Sequence, residues 1–393
     1  MAERAAGGTV LVSHPGAELY GSDRMTLETV GGLAERGWRV LLAVPEAGPL
    51  SVAAAALGAE TVVLDVPVLR KNLLHPGRLA RFVVAGVGAA FRLAALLRRE
   101  RPEVVYVATV TIPLWIVVAR LARVPVVCHV HESERGASRA VRAALAAPVA
   151  LADRVVVNSR HSLTALTEAS PRVADRAVVL YNGVAGPPAV VPPRDRIDGT
   201  FRLVYSGRVS PRKGVDVAVE ALGRLVASGV DATLDVVGGV FPGYEWFMAD
   251  LDARIAELGL QDRVRFRGFT PEVWPALHAA DMALVPSRDE EPFGNTAVEA
   301  VLAGRPVAVS AIGGLAEAID GFASAIPVSP ADPDALADAV RRVRTSWPAF
   351  RRTAIAMAPI AAARYAPDRY RSEVDAEVRR AVGAAPVARL VTS

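Results

Sequence analysis

A chain of 393 residues is longer than one hydrophobic core ordinarily serves, so two domains are expected. Its 52% hydrophobic and 22% charged residues exclude a disordered protein, and its one cysteine, Cys128, excludes an intrachain disulfide framework and suits a reducing compartment. The net charge of +4 is unevenly spread: residues 1–198 are basic and the rest mildly acidic, so the halves are expected to meet different partners.

The first residues show no charged region followed by an apolar one, so no signal peptide is expected. The uncharged run Val104–Ala119 carries Thr109, Thr111 and Pro113 and falls short of the roughly 20 apolar residues of a spanning helix. The expectation is a cytoplasmic protein, at most peripheral at the inner face of the cell membrane.

Along the chain, apolar runs of strand length alternate with amphipathic stretches of helix length, the pattern of parallel sheets with crossover helices. In the first half the expected strands are Val10–Ser13, Arg39–Val44, Thr61–Asp65, Val104–Ala108, Val124–Val130, Arg154–Val157 and Ala177–Leu180. Helices are expected at Arg24–Arg36, Pro76–Arg99 and Arg160–Ala169. The proline-rich segment 186–199 breaks the pattern and is expected to be a linker.

The alternation then restarts, with strands at Arg202–Ser206, Thr233–Val237, Val264–Arg267, Met282–Pro286, Val307–Ser310 and Ala325–Val328. Helices are expected at Val215–Val226, Glu245–Leu258, Pro271–Ala279 and Asn295–Ala303, and the last forty residues read as helix fading into a tail. The expected architecture is two doubly wound α/β domains facing across a cleft, residues 1–185 and 200–365. Residues 366–393 would supply a helix crossing back to the first domain and a flexible tail. Such sheets bind ligands at the carboxyl ends of their strands.

Two segments carry chemistry. Only two of the 45 cationic residues are lysines, and one of them, Lys213, lies in Gly207-Arg208-Val-Ser-Pro-Arg-Lys213-Gly214, between an expected strand and an expected helix. Arg208 and Lys213 converging there would bind a diphosphate and stabilise its charge as it leaves. Without that role the segment is a polar loop. The second is Glu291-Pro-Phe-Gly-Asn-Thr-Ala-Val-Glu299. It would place Glu291 before a helix mouth, Glu299 about two turns inside, and the backbone N–H groups of Phe293, Gly294, Asn295 and Thr296 around a phosphate. Carboxylates accept hydrogen bonds from sugar hydroxyls, often two at once.

Taken in order, these pieces resemble the retaining glycosyltransferases of family 4, which have the GT-B fold. Ala152-Asp-Arg-Val-Val-Val-Asn-Ser159, Tyr181-Asn-Gly-Val184, Arg208…Lys213-Gly214, Arg267-Gly-Phe269, Glu291…Glu299-Ala300, Gly304-x-Pro-Val307 and Gly313-Gly-Leu-Ala-Glu317 all fall in that family's sequence, over nearly the whole chain. The resemblance implies that Arg208 and Lys213 bind the donor diphosphate, Glu299 the ribose hydroxyls, Glu291 the donor sugar, and the backbone at Gly268–Phe269 the base. It also matches His131 to a histidine near the reacting centre, with His129 as the rival assignment. The first βα loop departs from the family by separating its glycines, Gly16 and Gly21; either Gly21, with Ser22, lets backbone approach the donor, or the other glycine does, or the loop shapes the acceptor site instead.

The implied reaction moves a sugar from a nucleotide diphosphate to an acceptor hydroxyl with retention, in cell-surface polysaccharide or glycolipid assembly. No Asp-x-Asp motif stands in the expected region, so no metal or other cofactor is expected. The alternatives are a sugar-nucleotide 2-epimerase of the same fold and a catalytically silent nucleotide-sugar-binding subunit. The expected partners are a nucleotide sugar and a glycan or lipid-linked acceptor, with no nucleic acid. Residues 70–101, with eight basic residues and one acid around the apolar run Phe82–Phe91, read equally as a solvated helix and as one lying on an anionic membrane.

Overall fold

The computed structural model describes residues 8–19, 21–69, 76–132, 139–240 and 243–384. The chain forms two compact units, one taking it through Gly183 and again from Pro367, the other comprising Val184–Ala366. Lys71, the rest of 70–75 and the expected tail beyond residue 384 lie outside the described residues.

The first unit runs β1 (Thr9–Ser13), α1 (Gly21–Glu35), β2 (Arg39–Val44), α2 (Pro49–Ala56), β3 (Glu60–Val63), α3 (Pro76–Glu100), β4 (Val104–Val107), α4 (Pro113–Leu121), β5 (Val126–Val130), α5 (Arg139–Val149), β6 (Arg154–Val157), α6 (Arg160–Ala169) and β7 (Ala177–Val179). Its strands are parallel, in the order β3-β2-β1-β4-β5-β6-β7. Helices cover both faces, which is why β4 and β5 are apolar at nearly every position and buried throughout. Only the edge strand β3 is largely exposed.

The second unit runs β8 (Phe201–Ser206), α7 (Val215–Ala227), β9 (Ala232–Val237), α8 (Glu245–Glu257), β10 (Val264–Gly268), α9 (Trp274–Ala279), β11 (Met282–Val285), α10 (Asn295–Leu302), β12 (Val307–Ser310), α11 (Gly313–Ala318), β13 (Ala325–Val328), α12 (Pro333–Thr345) and α13 (Trp347–Arg364). Its parallel sheet has the order β10-β9-β8-β11-β12-β13. The helix periodicity is explicit in α7, which buries Val215, Ala218, Val219, Leu222 and Leu225 against the sheet. Asp332 starts α12 by accepting the backbone N–H groups of Asp334 and Ala335, with Pro333 pre-set for the first turn.

A final helix, α14 (Pro367–Ala384), belongs to the first unit. It sinks Tyr370, Val374, Val378 and Ala381, one helical stripe, into the core lined by Val10, Val12 and Leu33. Polar ties flank the stripe: Trp38 Nε1 donates to Asp375 at 2.7 Å, Arg154 pairs with Glu377 at 2.6 Å and Arg371 with Glu28 at 2.8 Å.

The proline-rich segment is not a free linker. The chain changes unit at 183–184 and 366–367, and residues 186–199 lie on the second unit. Arg194 forks onto the buried Asp281 at 2.7 and 2.8 Å, and its carbonyl accepts from Trp347 Nε1 at 3.1 Å. Arg305 completes the attachment from inside. Its side chain is fully buried, and its guanidinium donates to the carbonyls of Leu277 (2.9 Å), Ala280 (2.8 Å), His278 (2.8 Å), Ala303 (3.0 Å) and Val191 (2.9 Å). One five-donor fork thus satisfies the end of α9, the end of α10 and the proline-rich segment together. Burial pulls its pKa down to about 10, with Asp281 opposing, so it stays charged at neutral pH.

Removing that fork strands several buried carbonyls, each costing about 1–3 kcal/mol. Arg305→Met is expected to lower stability by at least about 3 kcal/mol, read from the urea midpoint of the full chain. A shift equivalent to under about 1 kcal/mol would show that the fork is not a structural keystone.

Candidate functional site

In the second sheet β8 and β11 are neighbours, although α7, β9, α8, β10 and α9 separate them along the chain; the winding runs outward through β9 and β10 on one side and through β12 and β13 on the other. Strand order reverses between them, and a doubly wound sheet opens a crevice beyond the carboxyl ends of such a pair. The loop after β8 is Gly207–Gly214 and the loop after β11 is Pro286–Gly294. The two motifs separated in sequence are therefore side by side.

They also touch. Gly214 has φ +70°, and a Cβ there would lie 1.9 Å from the Pro286 carbonyl oxygen. Only glycine permits both the left-handed backbone and this approach. The contact brings Lys213 Nζ to 2.6 Å from Glu291 Oε2, while Ser287 Oγ donates to the other carboxylate oxygen. Arg212, the residue before, donates to the Glu290 carbonyl at 3.3 Å. From the far side the Gly314 N–H donates to the Glu291 carbonyl at 2.7 Å. A Cβ on Gly314 would lie 2.2 Å from the Pro292 carbonyl, which is the physical reason for the paired glycines at 313–314.

Glu291 and Ser287 are buried and Lys213 largely so. Burial alone would raise the Glu291 carboxyl, but the charges of Lys213 and Arg212 and the hydrogen bonds from Lys213 and Ser287 outweigh it and hold it below the usual carboxylate value. Burial lowers the Lys213 ammonium, against the raising effect of Glu291, and Arg212 and Arg208 add to the lowering. A desolvated ion pair of this kind contributes little net stability and holds a cation where a further anion would gain most.

The other expected residues of this unit sit along the same edge. Arg208 is half-buried at the end of β8, its carbonyl accepting from Tyr205 Oη at 2.9 Å. Gly268 ends β10 with φ +71°, and Phe269 beyond it is exposed. Gly294 caps α10, and Asn295 and Thr296 open it, both partly exposed. Glu299 is partly exposed too, but lies about 6 Å, little more than one turn, inside α10 rather than two turns. Phe293 is buried with its ring 5.5 Å from that of Tyr365, so its side chain packs the core and only its backbone is available. Arg212 and Ser287 were not singled out in the sequence; their adjacency to Lys213 and to the end of β11 was the available signal.

In the first unit β5 ends at Val130, and His129 and His131 fall on the same side of the strand by its two-residue period. The structure separates their situations. His129 is fully buried with Nδ1 2.6 Å from Tyr106 Oη, whereas His131 is partly exposed beyond the strand end. The rings stack with centroids 3.8 Å apart at 38°. Although an edge of His131 is open, burial lowers its pKa to about 3, with His14 adding to the effect, so the imidazole is neutral at neutral pH.

Around it, Glu132 accepts from the Thr109 hydroxyl and, at 3.0 Å, from the His131 backbone N–H. His14, at the end of β1, lies 3.2 Å from Asp23 on α1. Gly21 is the first residue of α1. Glu132, Thr109, His14 and Asp23 were not singled out from sequence; the first three lie just past strand ends and Asp23 in the first turn of α1, positions that single-sequence reading marks only weakly.

Residues 200–346 match the family model for glycosyl transferases group 1, and residues 20–185 that for glycosyltransferase family 4. The chain is 32% identical over 301 residues to the 2-deoxystreptamine glucosyltransferase of Streptomyces kanamyceticus, covering 66% of this chain and 74% of that one. It is 33% identical over 264 residues to the glycogen synthase of Mycobacterium tuberculosis, covering 63% and 61%. Among solved structures, Anabaena HepE in complex with UDP and glucose aligns with a TM-score of 0.79 at 21% identity, over 94% of this chain and 99% of that one. Ordered motifs, two doubly wound sheets and these likenesses lead to one conclusion: the chain belongs to glycosyltransferase family 4 and has the GT-B fold.

Proposed function

We propose that this glycosyltransferase moves a sugar from a nucleotide diphosphate to an acceptor hydroxyl with retention of configuration, the diphosphate leaving against Arg208 and Lys213. The Lys213–Glu291 pair at the strand-order reversal carries the reading. As the bond from the anomeric carbon to the diphosphate lengthens, negative charge gathers on the leaving oxygens. A pre-placed ammonium gains most at that moment. The acceptor oxygen bonds to the same face of that carbon, and its proton passes to a leaving phosphate oxygen.

Glu291, held by Lys213 and Ser287, would accept from donor-sugar hydroxyls, and Glu299 from the ribose diol. The N–H groups of Phe293–Thr296 would face phosphate and the backbone at Gly268–Phe269 the base, with Gly21 admitting the donor to the first unit. His131, neutral at working pH, would hydrogen-bond the sugar rather than repel its developing positive charge. With two fixed cations on the diphosphate, we propose that no divalent metal is needed.

UDP and glucose in HepE, and the glucosyl transfer named for the Streptomyces relative, make UDP-glucose the first donor to test. For the acceptor we propose a glycan or lipid-linked hydroxyl in cell-surface polysaccharide or glycolipid assembly, at the cytoplasmic face of the membrane. On α3, Val84 (74% exposed), Val87 (55%) and Phe91 (74%) form one outward row, and Arg98 and Arg99 are exposed in its last turn. Among the described residues no helix is long and apolar enough to cross a membrane. An apolar row ending in exposed arginines matches an anionic lipid surface, which takes up both kinds of group.

Lys213→Ala is expected to cut kcat with the correct donor about 10²-fold, while a chelator leaves wild-type turnover unchanged. Transfer by the variant near the wild-type rate would remove Lys213 from the mechanism. For the membrane reading, binding to phosphatidylglycerol-containing vesicles is expected to weaken with salt and to fall at least about tenfold in Val84→Glu/Phe91→Glu. Binding that is absent, or indifferent to both changes, would reject it.

A further inference from the structure

Beneath His131 stands a column of buried polar side chains in a core otherwise built from Val and Leu. His129 is 0% exposed, and its neighbours Tyr106 and Tyr370 are 1% and 0% exposed. Buried polar groups are costly unless each donor finds an acceptor. Their contacts join four elements through His129. His129 Nδ1 lies 2.6 Å from Tyr106 Oη, across an edge-on ring contact of 5.9 Å at 90°. Burial pushes the Tyr106 hydroxyl pKa well up, and Tyr370 and Thr29 act on it from the same core. Tyr370 Oη lies 2.7 Å from Thr29 Oγ1 and 3.5 Å from the Met25 carbonyl oxygen.

We propose that Tyr106 and Tyr370 are positioning residues for His131, fixing the tautomer and ring plane of His129, the surface on which His131 stacks. This rests on the reading of His131 as a group beside the reacting sugar.

The tautomer follows from counting donors. His129 Nε2 is buried with no hydrogen-bond partner among the described residues. Were it protonated, the core would hold an orphaned N–H, a state that folded proteins rarely keep. With the proton on Nδ1, that N–H donates to Tyr106, the Tyr106 hydroxyl hydrogen is left free to turn toward Tyr370, and Tyr370 donates to Thr29 or the Met25 carbonyl. The stiff ring N–H is then satisfied, and Nε2 keeps only a lone pair. Burial holds the His129 pKa far below its usual value, with His131 adding to the effect, so the ring does not gain a second proton at working pH.

A second ring also lies beside it. Tyr370 is 6.2 Å from His129, tilted by 33°, so the ring of His129 neighbours both His131 and a residue of α14. The seat of Tyr370 is itself exacting: a Cβ on Gly183 would come within 2.9 Å of Tyr370 Cβ and of Pro367 Cα. That crowding supplies a packing reason for glycine in the Tyr181-Asn-Gly-Val184 motif, and through Tyr370 the motif bears on the pose of His131.

The test is ¹⁵N NMR of histidine-labelled full-length protein together with kinetics. Wild type is expected to show a neutral His129 protonated on Nδ1. Tyr106→Phe is expected to move the proton off Nδ1, and Tyr106→Phe and Tyr370→Phe each to lower kcat about tenfold, by misplacing His131. The donor KM should stay within roughly twofold, because the groups proposed to bind the nucleotide, Arg208, Lys213 and Glu299, are untouched. A wild-type His129 protonated on Nε2 would overturn the proposal even if a variant failed to fold. Both tyrosine variants turning over at the wild-type rate would overturn it too. His131→Ala at wild-type turnover would instead sink the reading of His131, leaving the His129 spectrum to judge the relay by itself.

Discussion

Between β8 and β11 the second sheet reverses its winding, and the two loops that leave these strands have no helix between them to keep them apart. The rest of the site depends on how closely the loops can then approach. Gly214 under the Pro286 carbonyl sets that distance, and Gly314 under Pro292 closes it from the other side. A methyl group at either position would push the Glu291 loop outward and break the 2.6 Å contact with Lys213. The chemistry of a cation and a carboxylate is thus delivered by residues that have no side chain.

The same logic explains why a costly ion pair persists. Burying Lys213 and Glu291 costs desolvation on both, and the Ser287 hydroxyl and the Arg212 charge offset part of it for the carboxylate. An apolar pair of similar volume would fill the space at no such cost. What it would lack is a field directed out of the sheet edge, where the fold concentrates its strand ends.

Much of the fold was legible in the sequence because parallel strands covered on both faces read as unbroken apolar runs. The expected bounds Arg39–Val44, Arg154–Val157, Val307–Ser310 and Ala325–Val328 coincide with β2, β6, β12 and β13. Lys213 and Glu291 were visible as residue types at strand ends, but their partnership was not. It depends on β8 lying beside β11, and it joins side chains 78 residues apart, which no local pattern records. Arg305 was hidden for a related reason: its acceptors are backbone carbonyls, which carry no residue identity. The proline-rich segment misled because its composition is that of a linker, while Asp281, Trp347 and Arg305 hold it in place. His129 and His131 share a side of β5, so spacing alone did not distinguish them; the difference in their depth became visible only in the fold.

The division of the chain bears on the order in which the protein can be built. The second unit is one continuous segment, Val184–Ala366, and has its whole core once that segment has been made. The first unit begins earlier but lacks Tyr370, Val374, Val378 and Ala381 until α14 arrives. During synthesis the domain that starts first is therefore the last to close, and until then the stripe that α14 will fill is uncovered apolar surface. The groups around Lys213 can be assembled while the bed of His129 is still open, so the arrival of α14 sets the moment at which both units have their cores.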